Sequence, residues 1–141
     1  MKLYAIDVET TGLDPNVNQI RSIAVAEVEV DANGARIGQT SVNTVVYVRP
    51  QTWADVANRA PYMTQAEYER GLEAAAAVAV VDEGRLKVPL RRALADITAM
   101  VAGDGPHVLM GYNVAFDAAF LRMAYREWGI RYPFDYHTFD L

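Results

Sequence analysis

Ile6-Asp7-Val8-Glu9-Thr10-Thr11-Gly12-Leu13-Asp14-Pro15 is the stretch around which the chain is read. The apolar run Leu3-Tyr4-Ala5-Ile6 leads into it and reads as a strand, while Thr-Thr-Gly and Asp-Pro lead out as a turn. Side chains alternate faces along a strand, so Asp7 and Glu9 share one face, one pleat apart. Two close carboxylates repel. At the end of a buried run, an unpaired charge costs several kcal/mol. A basic partner, a shared proton or a divalent cation would offset that cost, and oxygen-only ligands at a strand end suit Mg²⁺ or Mn²⁺. The alternative is an edge strand whose polar face meets water.

Working outward, Gln19 to Val30 alternates. Ile20, Ser22, Ala24, Ala26, Val28 and Val30 fall on one face, and Arg21, Ile23, Val25, Glu27 and Glu29 on the other. Asp31-Ala32-Asn33-Gly34 reads as a hairpin turn, because Asn-Gly accepts positive φ. A third strand is expected from Arg36 to Val48, giving an antiparallel three-strand meander. Gln51 to Tyr62 reads as irregular. Thr64-Gln65-Ala66-Glu67 has the form of a capping box, so a helix is expected from Gln65 to about Val81, with Gly71 as a weak point. Pro89 suits the first turn of a second helix that Gly103 ends, with Leu90, Leu94, Ile97 and Val101 as its apolar stripe. Val108 to Tyr112 reads as a buried strand reached by a helical crossover, which implies parallel pairing with the first strand. A third helix is expected from Val114 to Trp128, ended by Gly129. The sum is an α/β fold: a meander plus parallel strands in one mixed sheet, with flanking helices.

Asp117 lies in the first turn of that last helix. Asn113 before it can be a helix N-cap, and Asp117 itself can simply favour the helix dipole. Its angle argues for more. At about 100° per residue, Asp117 falls between Ala124 and Trp128, on the arc that also carries Phe116, Phe120 and Leu121. An acid inside the apolar arc faces the sheet, and at the helix start it faces the strand end. If the two strands are neighbours, Asp117 meets Asp7 and Glu9 where open α/β sheets build their sites.

Composition bounds the rest. The 141 residues suit one domain with one sizeable core, and 52% apolar with 22% charged residues is ordinary for a soluble protein. The longest apolar run, Ala74 to Val81, is too short to span a bilayer. With no cysteine there is no disulfide framework and no thiolate site, which fits a cytoplasmic protein. A net charge of −5 argues against a basic patch that grips nucleic acid by counterion release. It leaves room for a nucleic-acid enzyme whose acidic site holds phosphate through a metal.

Ile6-Asp7-Val8-Glu9-Thr10-Thr11-Gly12-Leu13 resembles the first motif of the DEDD (DnaQ-like) 3′→5′ exonuclease superfamily, Asp-x-Glu-Thr-Thr-Gly at a strand end. Gly111-Tyr112-Asn113-Val114-Ala115-Phe116-Asp117, followed by Phe120-Leu121, resembles its second, Asn-x-x-Phe-Asp-x-x-Phe-Leu. The resemblance covers essentially the whole chain. It implies an RNase H-like fold and removal of nucleotides from the 3′ end of DNA or RNA, with a polymerase or other replication or repair protein as a possible partner. It implies that Asp7, Glu9 and Asp117 are catalytic ligands of two divalent metals, Mg²⁺ or Mn²⁺. Thr10, Thr11, Gly12 and Leu13 would line the terminal nucleotide, Thr10 near the 3′-hydroxyl and Leu13 against a base. Asn113 and Phe116 would shape the wall.

The superfamily also needs a third motif, His-x-x-x-x-Asp or Tyr-x-x-x-Asp, on a later helix. Tyr136-His137-Thr138-Phe139-Asp140 has the second form. It follows Asp117 too closely, and Tyr132 and Pro133 argue against a helix there. The expectation is therefore a domain that is C-terminally incomplete, with residues 1–141 its N-terminal portion and inactive alone. A non-catalytic exonuclease-like binding module is the alternative, and a fourth acid from a partner chain is another.

Overall fold

A computed structural model describes residues 1–79, 82 and 84–141. The strands are β1 (Lys2–Thr10), β2 (Ile20–Asp31), β3 (Gly34–Val46), β4 (Lys87–Val88), β5 (His107–Gly111) and β6 (Thr138–Asp140). The helices are α1 (Trp53–Ala57), α2 (Gln65–Ala79), α3 (Leu90–Met100) and α4 (Val114–Glu127). The six strands form one sheet in the order β4-β3-β2-β1-β5-β6. β1, β2 and β3 are the antiparallel meander, and β5 pairs parallel with β1 and with β6. This is the mixed RNase H-like sheet expected from the alternation and the crossover.

The alternation decides which face is buried. Tyr4, Ile6 and Val8 of β1 point to one side with Ile23 and Val25 of β2 and Leu109 of β5. There they meet Leu94 and Ile97 of α3 and Phe120, Leu121 and Tyr125 of α4. The other side of β1 and β2 carries Ala5, Asp7, Glu9, Ser22, Ala24 and Ala26, none of them fully buried. A second, smaller cluster (Val17, Val56, Ala60 and Tyr68, with Trp53 and Met63) ties the β1–β2 loop to α1 and the start of α2.

Several expectations need correction. The stretch read as irregular contains α1, fixed by a complete capping box in which Thr52 and Asp55 each accept the other's backbone N–H. The third strand starts at Gly34 rather than Arg36, because Asp31 pairs with Gly34 and the loop is Ala32–Asn33. Only Gly34 takes positive φ there, while the Asp31 carboxylate accepts the Asn33 N–H at 2.8 Å. Lys87–Val88 forms a two-residue strand parallel to β3, so Pro89 sits just before α3 instead of in its first turn. α2 reaches Ala79, and its expected end at Val81 lies outside the described residues.

Candidate active site

β1 delivers the first two acids. Asp7 pairs with Ala24 and Glu9 with Ser22, both on the face away from the core, and the register slips between Glu9 and Thr10. Such a bulge re-aims the chain at a strand end. Both carboxylates are exposed, so the expected burial penalty does not fall on them. They meet water because the face they occupy is the open one.

The penalty falls on Asp117, which is 6% exposed. β5 pairs with β1 only as far as Ala5 and Met110, so the N–H of Val8 lies beyond the last rung of that ladder. Asp117 Oδ1 accepts that N–H at 2.9 Å. The acid of the apolar arc thus replaces a strand, and its carboxylate is pinned to the residue between Asp7 and Glu9. Burial holds its pKa above the ordinary value. The Val8 N–H works against that rise, and the charges of Asp7 and Glu9 add to it. All three acids are therefore within electrostatic reach at one end of β1.

They are not a ready-made cage. Among the described residues, no three His, Cys, Asp or Glu side chains stand close enough to hold a metal ion as they are. The donor chemistry nevertheless fits a hard divalent cation: three carboxylates, one of them buried with no basic partner among the described residues. Like charges with no cation between them repel, and the exposed pair is free to splay.

The turn after Glu9 is built from its own side chains. Thr10 Oγ1 donates to the Gly12 carbonyl at 2.6 Å, and Thr11 Oγ1 accepts the Gln19 N–H at 2.9 Å. A Cβ on Gly12 would fall 2.5 Å from the Asn18 amide, whose Oδ1 accepts the Asp14 N–H. Gly12 is thus required by the turn. Leu13, 85% exposed, stands clear of any core. Phe116 is half-buried against Phe120, with ring centroids 5.0 Å apart.

Asn113 precedes α4 but makes no side-chain cap, because it sits in the left-handed region at φ 53°. Its N–H is instead accepted at 3.0 Å by Asp140 Oδ1 from β6. Sequence reading missed this contact, since nothing local links residues 27 positions apart. Asp140 therefore lies on a strand and binds the helix start, while Tyr136 is exposed. The two histidines are engaged elsewhere: His107 with Tyr4 and the Gly103 carbonyl, and His137 with Asp135.

The exonuclease family described as RNase T matches residues 4–141. The chain belongs to that exonuclease family. Solved structures carry the same fold as this exonuclease domain. Exonuclease I from Methylocaldum szegediense is 18% identical with a TM-score of 0.53, covering 88% of this chain and 23% of that one. E. coli exonuclease I with a 5cy-dA13 oligonucleotide is 16% identical with a TM-score of 0.59, covering 99% and 28%. The zinc-bound form of the E. coli enzyme with single-stranded DNA is 15% identical with a TM-score of 0.60, again covering 99% and 28%. The exonuclease domain thus spans about a quarter of the length of the chains it resembles. No curated protein matches it in sequence.

Proposed function

We propose that this exonuclease domain supports metal-dependent 3′→5′ removal of nucleotides from DNA or RNA. The observation that carries the reading is the seat of Asp117 on the Val8 N–H, between Asp7 and Glu9. Asp7, Glu9 and Asp117 would hold the divalent metal, Mg²⁺ or Mn²⁺. Bound there, such ions activate water and neutralise the scissile phosphate. Asp7 and Glu9 reach the ion from one face of β1, and Asp117 from the start of α4. The Thr10–Leu13 turn lines the terminal nucleotide, with Leu13 against a base. The Thr10 hydroxyl, whose hydrogen goes to Gly12, offers its oxygen as an acceptor for the 3′-hydroxyl. Asn113, with its side chain free of capping duty, and the half-buried Phe116 form the wall.

His107, His137 and Asp140 are engaged elsewhere and do not supply the fourth acid or the general base. In this reading the chain alone is slow. A general base contributes roughly 10²–10⁴-fold. A cytoplasmic setting and a replication or repair partner accord with the substrate. Among the described residues, no helix is long and apolar enough to cross a membrane.

The test is single-turnover incubation of the chain with a 3′-labelled single-stranded oligonucleotide and Mn²⁺, beside Asp7→Ala. Slow release of labelled mononucleotide, lost in the variant, is the expected result. Internal cuts, or release that persists in Asp7→Ala, would overturn the reading. One rival is a non-catalytic exonuclease-like binding module, favoured because, among the described residues, no three acids stand close enough to hold a metal ion as they are. Oligonucleotide binding with no cleavage at any enzyme concentration would select it.

A further inference from the structure

The turn that follows Glu9 is one wall of a cavity of about 630 Å³, and α2 is the other. That volume falls within the range of small-ligand sites, roughly 300–1,000 Å³. Leu13, Met63, Tyr68 and Ala75 give it an apolar lining, and Arg70 is the sole cation on a wall that also carries Asp14 and Glu67. Arg70 is exposed and forms no ion pair among the described residues. The apolar lining suits a flat apolar body, and Arg70 is the one charged group there that would hold an anionic substituent of it.

Gly71 lies on the same wall and has no explanation inside the protein. It sits in the interior of α2, where glycine weakens a helix relative to alanine. It needs no left-handed φ, and a Cβ there would meet nothing within 4 Å. No packing demand keeps a side chain out. The space that a side chain would enter is the cavity.

We propose that Arg70 and Gly71 determine how the terminal nucleotide is held. The base lies in the apolar part of the cavity against the bare backbone of Gly71, and the Arg70 guanidinium pairs with the phosphate of that nucleotide. The inference rests on the nuclease reading for one point, that the end of a nucleic acid arrives beside Glu9. Arg70 matters more here than in a basic protein, because a net charge of −5 offers phosphate little general attraction.

The experiment is a titration of the 141-residue chain, followed by amide NMR in Mg²⁺ buffer, with thymidine 5′-monophosphate and with thymidine. Arg70→Ala, Arg70→Lys and Gly71→Leu are titrated alongside, and each is melted. The parent should bind nucleotide about tenfold more tightly than nucleoside, as one charge-assisted pair allows. Arg70→Ala should shrink that difference severalfold while leaving nucleoside affinity unchanged, and Arg70→Lys should restore part of it. Gly71→Leu should weaken both ligands about tenfold or more at an equal or higher Tm, because leucine is the better helix former. Either variant behaving like the parent overturns the inference, as does the absence of binding by both ligands. Trimming that depends on Asp7 but ignores both α2 variants would sink this inference alone. Trimming indifferent to Asp7 would sink the nuclease reading instead.

Discussion

α4 and α2 are nearly the same length, and they are held in opposite ways. α4 buries Val114, Asp117, Ala118, Phe120, Leu121, Ala124 and Tyr125 against the sheet. In α2, among the side chains whose burial is described, only Tyr68 is buried, and it belongs to the small cluster with Val17, Val56 and Ala60. One helix is a wall of the main core. The other is an arm pinned near its first turn, resting on the loop that follows β1. The contrast assigns different work to each. α4 fixes a carboxylate to within a hydrogen bond, whereas α2 borders a space.

The sharpest way to break that contrast is to truncate a matched pair of side chains. Leu121→Ala, fully buried on α4, is expected to cost about 2–5 kcal/mol in denaturant unfolding. Tyr68→Ala should cost less globally and act on the arm. Amide exchange across α1 and α2 should accelerate while that of β1 and α4 keeps its protection, so uniform loss of protection would show that the arm belongs to the main core. Asp117→Asn is expected to act in the other direction. Burial raises the folded-state pKa above the ordinary 3.8, so the stabilising contribution of the protonated form is present below that value and lost as pH rises through the raised one. The neutral variant, which keeps an oxygen for the Val8 N–H, should melt higher than the parent at pH 7. The gap should close on acidification below the ordinary value. Mg²⁺ should raise the Tm of the parent and not of the variant. Smallest of all is Leu72→Ala on the exposed side of α2, expected to stay within about 0.5 kcal/mol.

The same contrast explains what could be read in the sequence. The meander, the crossover and α4 were legible because burial of one face imposes a period of 2 on strands and 3.6 on helices. Asp117 stood out because it breaks that pattern from within. Where packing imposes nothing, the reading failed. β4 is two residues long and has no period to detect. α1 was hidden because its box closes with Asp55, where Glu or Gln marks the pattern. The exposure of Asp7 and Glu9 could not be read from an apolar lead-in, since Ile6 and Val8 supply the apolar character of the opposite face. The α2 arm announced its start through Thr64, whose hydroxyl accepts the Glu67 N–H at 3.2 Å. Its partner across the cavity is set by tertiary placement alone.

The contact between Asp140 and the start of α4 has a consequence in time. A ribosome makes Asp7 and Glu9 among the first residues of the chain, and the meander can pair while later segments are still being added. Asp117 reaches Val8 only after 109 further positions, and the helix that carries it receives its N–H partner from β6 later still. Closing so long a loop costs little more than closing a short one, because the entropy grows only with the logarithm of length. The delay is therefore one of synthesis. Until Asp117 emerges, a nascent chain displays two lone acids on a hairpin, and the third acid and then the β6 carboxylate that holds its helix start join them later.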